Sequence, residues 1–231
     1  SVQRAQPGGG ARVSRPVVSP AVDTPLGATA KLPIAYACAG CRYQPPLDRP
    51  VPLRCPRTVP DDDIDHVMTR VLDTNALTFP TGSEGEPFIR YRTLFHAYHR
   101  ARALGWTDAD YVALVERLDD AIAAVDGSGF RVTPFRREGA LSDQLGFSQA
   151  GGVYVKDETG NVSGSHKARH LMGTLLELEV AAAVAGGAGS GARLAIASCG
   201  NAGLAAAVVA SAWLSSPSRA GIGWRETAAV W

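Results

Sequence analysis

Lys167 stands in Ser163-Gly164-Ser165-His166-Lys167-Ala168-Arg169-His170, one lysine among small residues at a junction where the hydrophobic period changes. An uncharged lysine amine attacks carbonyl carbons, so a lysine held at a tight junction is a candidate for covalent chemistry. Before the junction, Val153-Tyr154-Val155 reads as a short buried strand running into Lys156-Asp157-Glu158. After it, Leu171, Leu175, Leu178 and Ala182 recur at helical spacing. Gly160 to Ser165 is therefore expected to be a strand-to-helix loop, where backbone approaches a ligand closely and free N–H groups point outward. The positive end of the following helix and partial burial both disfavour an ammonium, so both are expected to push Lys167 toward the neutral amine.

Two further constellations carry reactive residue types. Arg193 to Ser198 reads as a second buried strand, and Cys199-Gly200-Asn201-Ala202-Gly203 opens a second apolar helix, Leu204 to Leu214. Nearer the start, Cys38 and Cys41 have knuckle spacing and Cys55 follows a Pro-rich turn, which resembles half of a zinc ribbon. A structural zinc site wants four Cys or His donors. His66 or an acid from Asp61-Asp62-Asp63 would complete one, and thiols that merely pack are the alternative.

The order of these segments carries a resemblance. Val132-Thr133-Pro134-Phe135, then VYVKDE and SGSHKARH, then the Ser198-x-Gly200-Asn201 loop about thirty residues on, is similar to the fold type II pyridoxal-phosphate enzymes. That group holds threonine synthase, threonine dehydratase, cysteine synthase and the tryptophan synthase β chain. The resemblance covers roughly Phe130 to Leu214. It implies pyridoxal 5′-phosphate as cofactor and Lys167 as the Schiff-base lysine. Ser198, Cys199, Gly200, Asn201 and Ala202 would hold the α-carboxylate of an amino-acid substrate, and Asn201 would also reach the cofactor's 3′ oxygen. His166 matches a histidine that touches the cofactor phosphate in the tryptophan synthase β chain; a structural first-turn histidine is the other reading. Cys199 is a variant of the carboxylate loop and not a nucleophile, and Arg169 has a structural role in relatives. The implied reaction is that of a lyase or synthase at the β or γ carbon of an amino acid, most like threonine synthase.

The implied fold is an incomplete three-layer α/β/α of the tryptophan synthase β-like type, carrying an N-terminal cysteine-containing extension. Residues 1–34 read as disordered, 35–88 as the cysteine module, 89–214 as part of the enzyme domain and 215–231 as an atypical tail. The glycine-rich phosphate loop of the family's C-terminal half has no counterpart after Leu214, so the chain is expected to be a truncated copy that holds the cofactor weakly, its parent a homodimer. A zinc-binding, non-catalytic interaction module with a degenerate α/β remainder is the rival from another class.

Several elements must position these groups. Asp61 to Leu72 reads as a helix with an acidic first turn. Ile89 to Leu104 and Thr107 to Val125 read as a helical pair, the second with Thr107 as N-cap, Asp110 answering it, and Val112, Val115, Leu118 and Ile122 as its apolar face. Asp126-Gly127-Ser128-Gly129 is a turn, Glu138 to Gly146 a short helix, and the Gly186–Gly191 run a helix cap and connection rather than a phosphate cradle. His166 and His170 have the spacing of a two-histidine zinc site, but Lys167 occupies the place where a metalloprotease needs glutamate. His96 and His99 read as surface histidines, and Asp157 and Glu158 as groups that orient the lysine segment by hydrogen bonds.

With 231 residues, 45% hydrophobic and 19% charged, the chain supports one large or two small cores. A net charge of +1 gives no basic surplus for nucleic acid or an anionic membrane. The most apolar runs fall short of the roughly 20 residues a bilayer needs. Four cysteines without a disulfide pattern suit a reducing cytoplasm.

Overall fold

The computed structural model describes residues 31–49, 54–147, 151–184, 195–198 and 200–215. The first sheet pairs β1 (Ile34–Cys38) with β2 (Met68–Leu72), antiparallel, with Ile34 opposite Leu72 and Cys38 opposite Met68. Ile34, Ala37 and Cys38 are buried while β2 is largely exposed, so this hairpin buries one strand's side chains and leaves the other to solvent.

The expected helix over Asp61–Leu72 does not form. Asp62 accepts the N–H of Ile64 in a tight local turn, Asp61 sits at φ 60, and Met68–Leu72, with Thr69 and Val71 β-branched, pairs as a strand. Four aspartates within five residues disfavour a helix there, and the period-2 β-branched run decides the outcome.

The helical part opens with α1 (Pro87–Arg90), capped by Glu86, and a 3₁₀ turn over Arg92–Leu94. Phe95 is extended at φ −106, ψ 134, which breaks the single helix expected over Ile89–Leu104 and starts α2 (His96–Ala103) afresh. The next helix, α3 (Asp108–Asp126), has the complete capping box: Thr107 Oγ1 accepts from Asp110 N, and the Asp110 carboxylate accepts from Thr107 N. It ends at Gly127, whose φ of 85 is the left-handed conformation a helix stop requires. Its buried face is Tyr111, Leu114, Val115, Leu118 and Ile122; Val112, expected inside, is only half-buried.

A second antiparallel pair joins β3 (Phe135–Arg137) to β4 (Tyr154–Lys156), with α4 (Gly139–Gln144) between them. The strand expected at Val153–Val155 is thus present, one residue later, but all three of its residues are exposed. Only one neighbouring strand covers it among the described residues.

The core is helical. The fifth helix, α5 (Lys167–Val184), buries Ala168, Met172, Leu175, Leu176 and Val180, a stripe rotated from the expected one: Leu171, Leu178 and Ala182 are half-buried. The sixth, α6 (Asn201–Ser215), buries Ala205, Val209, Ala212 and Trp213 and packs against α3 and α5. Buried Glu179 on α5 ties the three together, accepting from Trp213 Nε1 at 2.6 Å and from Arg117 Nη2 at 2.9 Å.

The described residues thus make a mixed α/β chain of six α-helices and two small sheets, compatible with part of the expected domain. No parallel sheet occurs among them. Ala195–Ser198 carries no strand, and Arg193, Leu194, Cys199 and the Gly186–Gly191 run lie outside the described residues, as do the segments 1–30 and 216–231. No described helix is long and apolar enough to cross a membrane.

Candidate functional site

The turn that delivers Lys167 is held from several sides. A 3₁₀ turn spans Val162–Gly164; Ser163 sits in the left-handed region at φ 55 and Gly164 at φ 66. Such a conformation at serine costs energy, and Asp126 Oδ1 holds it by accepting Ser163 N at 3.1 Å. Buried Asn161 donates its Nδ2 to Ser165 O at 2.8 Å and clasps the turn across its base. Asn161 Oδ1 and Ser163 Oγ are buried with no partner among the described residues. Val162 anchors the turn in the core, and α6 lies against it.

Lys167 is the first residue of α5, and Ser165 Oγ accepts its backbone N–H. Its side chain is exposed, as are His166 and His170. The partial burial expected for Lys167 is therefore absent, because the core-facing stripe begins at Ala168 and turns the preceding residue outward. The chain has three lysines. Lys31 pairs with Asp73 at 2.8 Å and Lys156 Nζ donates to Thr133 O at 2.6 Å; the Lys167 amine has no hydrogen-bond or ion-pair partner among the described residues.

One network joins the three segments of the resemblance. Arg169 donates Nε to Glu158 Oε2 at 2.7 Å and Nη2 to Arg131 O at 2.8 Å, while Thr133 Oγ1 donates to Glu158 Oε1. Burial pushes the Glu158 carboxyl up, but Arg169 and Thr133 outweigh it and hold it below its ordinary value. The 131–134 segment, the end of β4 and the first turn of α5 thus share one charge-assisted node. Glu158 orients the lysine segment as expected; Asp157 instead closes its own turn through Thr159.

In the second loop, Ser198 Oγ accepts Gly200 N at 3.3 Å, and Gly200 O receives the N–H groups of Gly203 and Leu204. Asn201 opens α6 with its side chain exposed, Ala202 is half-buried, and a β-carbon at Gly200 would meet open space. That leaves the N–H groups of Asn201 and Ala202, at the positive end of α6, as the amides suited to an anion. A lysine amine at one helix start and backbone amides at a second are the donor types that a phosphorylated aldehyde and a carboxylate call for.

The cysteines form a separate cluster. Cys38, Cys41, Cys55 and His66 place their ligand atoms within 4.8 Å of one another. Cys38 Sγ lies 3.5 Å from His66 Nδ1, and Cys41 Sγ lies 3.6 Å from Cys55 Sγ. Burial pushes the Cys38 thiol up, but the N–H groups of Cys41 and Gly40 and the neighbouring side chains prevail and bring it to about 6. Of the fourth donors the sequence leaves open, the fold selects His66, while Asp62 binds its far ring nitrogen, Nε2, at 2.8 Å. His66 was among the donors named from the sequence; the contact of Asp62 with its far nitrogen was not.

No curated protein and no solved structure matches the chain. The model of the family described as pyridoxal-phosphate dependent enzyme matches residues 128–214, the stretch from the turn after α3 to the end of α6, and this supports a pyridoxal-phosphate-dependent enzyme of the fold type II superfamily in that segment.

Proposed function

We propose that the segment acts as a pyridoxal-phosphate-dependent lyase or synthase at the β or γ carbon of an amino acid, resembling threonine synthase, with Lys167 as the residue that holds the cofactor covalently. The observation that carries this is Lys167 itself: exposed, unpaired among the described residues, at the start of α5, inside the matched segment and two residues before the Arg169 that the Glu158–Thr133 node holds. When bound, pyridoxal phosphate supplies an electron sink for a carbanion at the substrate's α carbon. The rest falls to the chain. Ser198, Gly200, Asn201 and Ala202, with Cys199 between them, bind the substrate carboxylate at the start of α6 and so orient the α C–H bond. Lys167 would also take and return the α proton at its Nζ. Asn201 and His166 are the side chains assigned to the cofactor's 3′ oxygen and phosphate.

A metal in the Cys/His cluster does not compete with this reading, because its four ligand residues are none of those assigned to the cofactor or substrate.

The test is reductive trapping. Incubating the protein with excess pyridoxal phosphate, reducing with borohydride and mapping the peptides should place the pyridoxyl group on Lys167, in clear excess over Lys31 and Lys156. Lys167→Ala should remove the visible absorbance that forms before reduction. Label spread over Lys31 and Lys156 alone, or colour unchanged in the variant, would overturn the assignment.

A further inference from the structure

We propose that Cys38, Cys41, Cys55 and His66 bind one zinc ion in a closed structural site, with Asp62 as the carboxylate that orients His66. The proposal is independent of the cofactor reading.

The distances have the dimensions of a zinc shell. With Zn–S of about 2.3 Å and Zn–N of about 2.0–2.1 Å, a tetrahedron has edges of about 3.8 Å between sulfurs and about 3.5 Å between sulfur and nitrogen. The Cys41–Cys55 and Cys38–His66 pairs stand at 3.6 and 3.5 Å, and all four atoms lie within one small sphere. The sulfurs are far too distant to be a disulfide, and all three cysteines are free.

The backbone is built for the same purpose. Cys38 ends β1; Arg42 N returns to Cys38 O at 3.0 Å, and Arg42 itself adopts φ 60, a tight knuckle that brings Cys41 back beside Cys38. Cys41 N donates to Cys38 Sγ at 3.5 Å, a bond that favours thiolate over thiol. A β-carbon at Gly40 would lie 2.8 Å from Asp65 O, so only glycine lets the His66 segment approach this close.

The outer contacts complete the design. Asp62 Oδ1 accepts Ile64 N at 2.7 Å, fixing the carboxylate, and Oδ2 meets His66 Nε2 at 2.8 Å. The proton is thereby held on Nε2, and the Nδ1 lone pair is left for a metal. Three thiolates and one imidazole suit zinc, and four protein ligands leave no open position for a substrate. The site is therefore structural and non-catalytic.

The experiment uses the full chain purified from zinc-supplemented medium. Metal analysis should find one zinc per chain, and X-ray absorption at the zinc edge should count three sulfurs and one imidazole nitrogen. Absence of stoichiometric zinc, or a shell of four sulfurs or mainly oxygen, would overturn the proposal without requiring any variant to fold. Asp62→Asn should weaken zinc binding by about 10–100-fold in chelator competition while keeping the same shell. His66→Cys should retain zinc with four sulfurs; three sulfurs and one nitrogen in that variant would show that His66 is not a ligand.

Discussion

Glu86 caps α1 through one carboxylate oxygen, Oε2, which accepts Ile89 N at 2.5 Å; the other, Oε1, is buried with no partner among the described residues. Burial, helped by the charge of Asp119, lifts this carboxyl from its ordinary 4.5 to about 7. An acid whose folded pKa is raised stabilises the fold fully below 4.5, and this contribution is lost as pH climbs through about 7. Glu86→Gln keeps an acceptor for Ile89 and removes the buried charge. At pH 8 the variant should be the more stable by on the order of 1–2 kcal/mol, allowing for partial solvent screening. Near pH 4 the difference should vanish. Paired urea titrations at the two pH values measure it, and equal stability at pH 8 would mean the carboxylate finds water or a partner.

At the level of elements, legibility followed the locality of the signal. The capping box of α3 was readable because Thr107 and Asp110 are three residues apart and act on each other's backbone. Thr107→Ala should therefore cost about 1 kcal/mol in chemical denaturation, and a null effect would mean the helix is held by packing alone. The Lys167 turn was readable from its small residues, but its exposure was not, because the buried stripe of α5 is set by contacts with α2 and α6. The helix assigned to Asp61–Leu72 failed for a similar reason. Three consecutive aspartates look like an acidic first turn, yet Asp62 closes on Ile64 and His66 while Met68–Leu72 pairs with a strand more than thirty residues earlier. Such pairing leaves only the period-2 run Val67, Thr69, Val71 as its local trace.

On the scale of the whole molecule, Arg100 joins the cysteine-bearing module to the helices. It is 1% exposed. Its Nε and Nη2 donate to Leu47 O and Arg49 O at 2.9 and 2.8 Å, and Nη1 donates to Glu177 Oε1 at 3.0 Å. Glu177 Oε2 also meets His96 Nδ1 at 2.8 Å, and the His96 ring stands edge-on to Tyr36 of β1. Glu177 lies on α5, so the strand that ends in Cys38 and the helix that starts at Lys167 share this buried junction. Burial pushes the Glu177 carboxyl up, but His96 and Arg100 outweigh it and hold it below its ordinary value. An acid with a lowered folded pKa stabilises above its unfolded value and loses that contribution as pH falls through the folded one. Arg100→Ala strands a carboxylate and two carbonyls in the interior and should cost about 3–5 kcal/mol at pH 7. The gap from the parent should narrow in acid, where protonated Glu177 no longer needs the guanidinium. Urea denaturation followed by far-ultraviolet circular dichroism at both pH values reads this directly. A loss below about 1 kcal/mol at pH 7 would mean that the module is docked by its apolar contacts and that Arg100 only fills the seam.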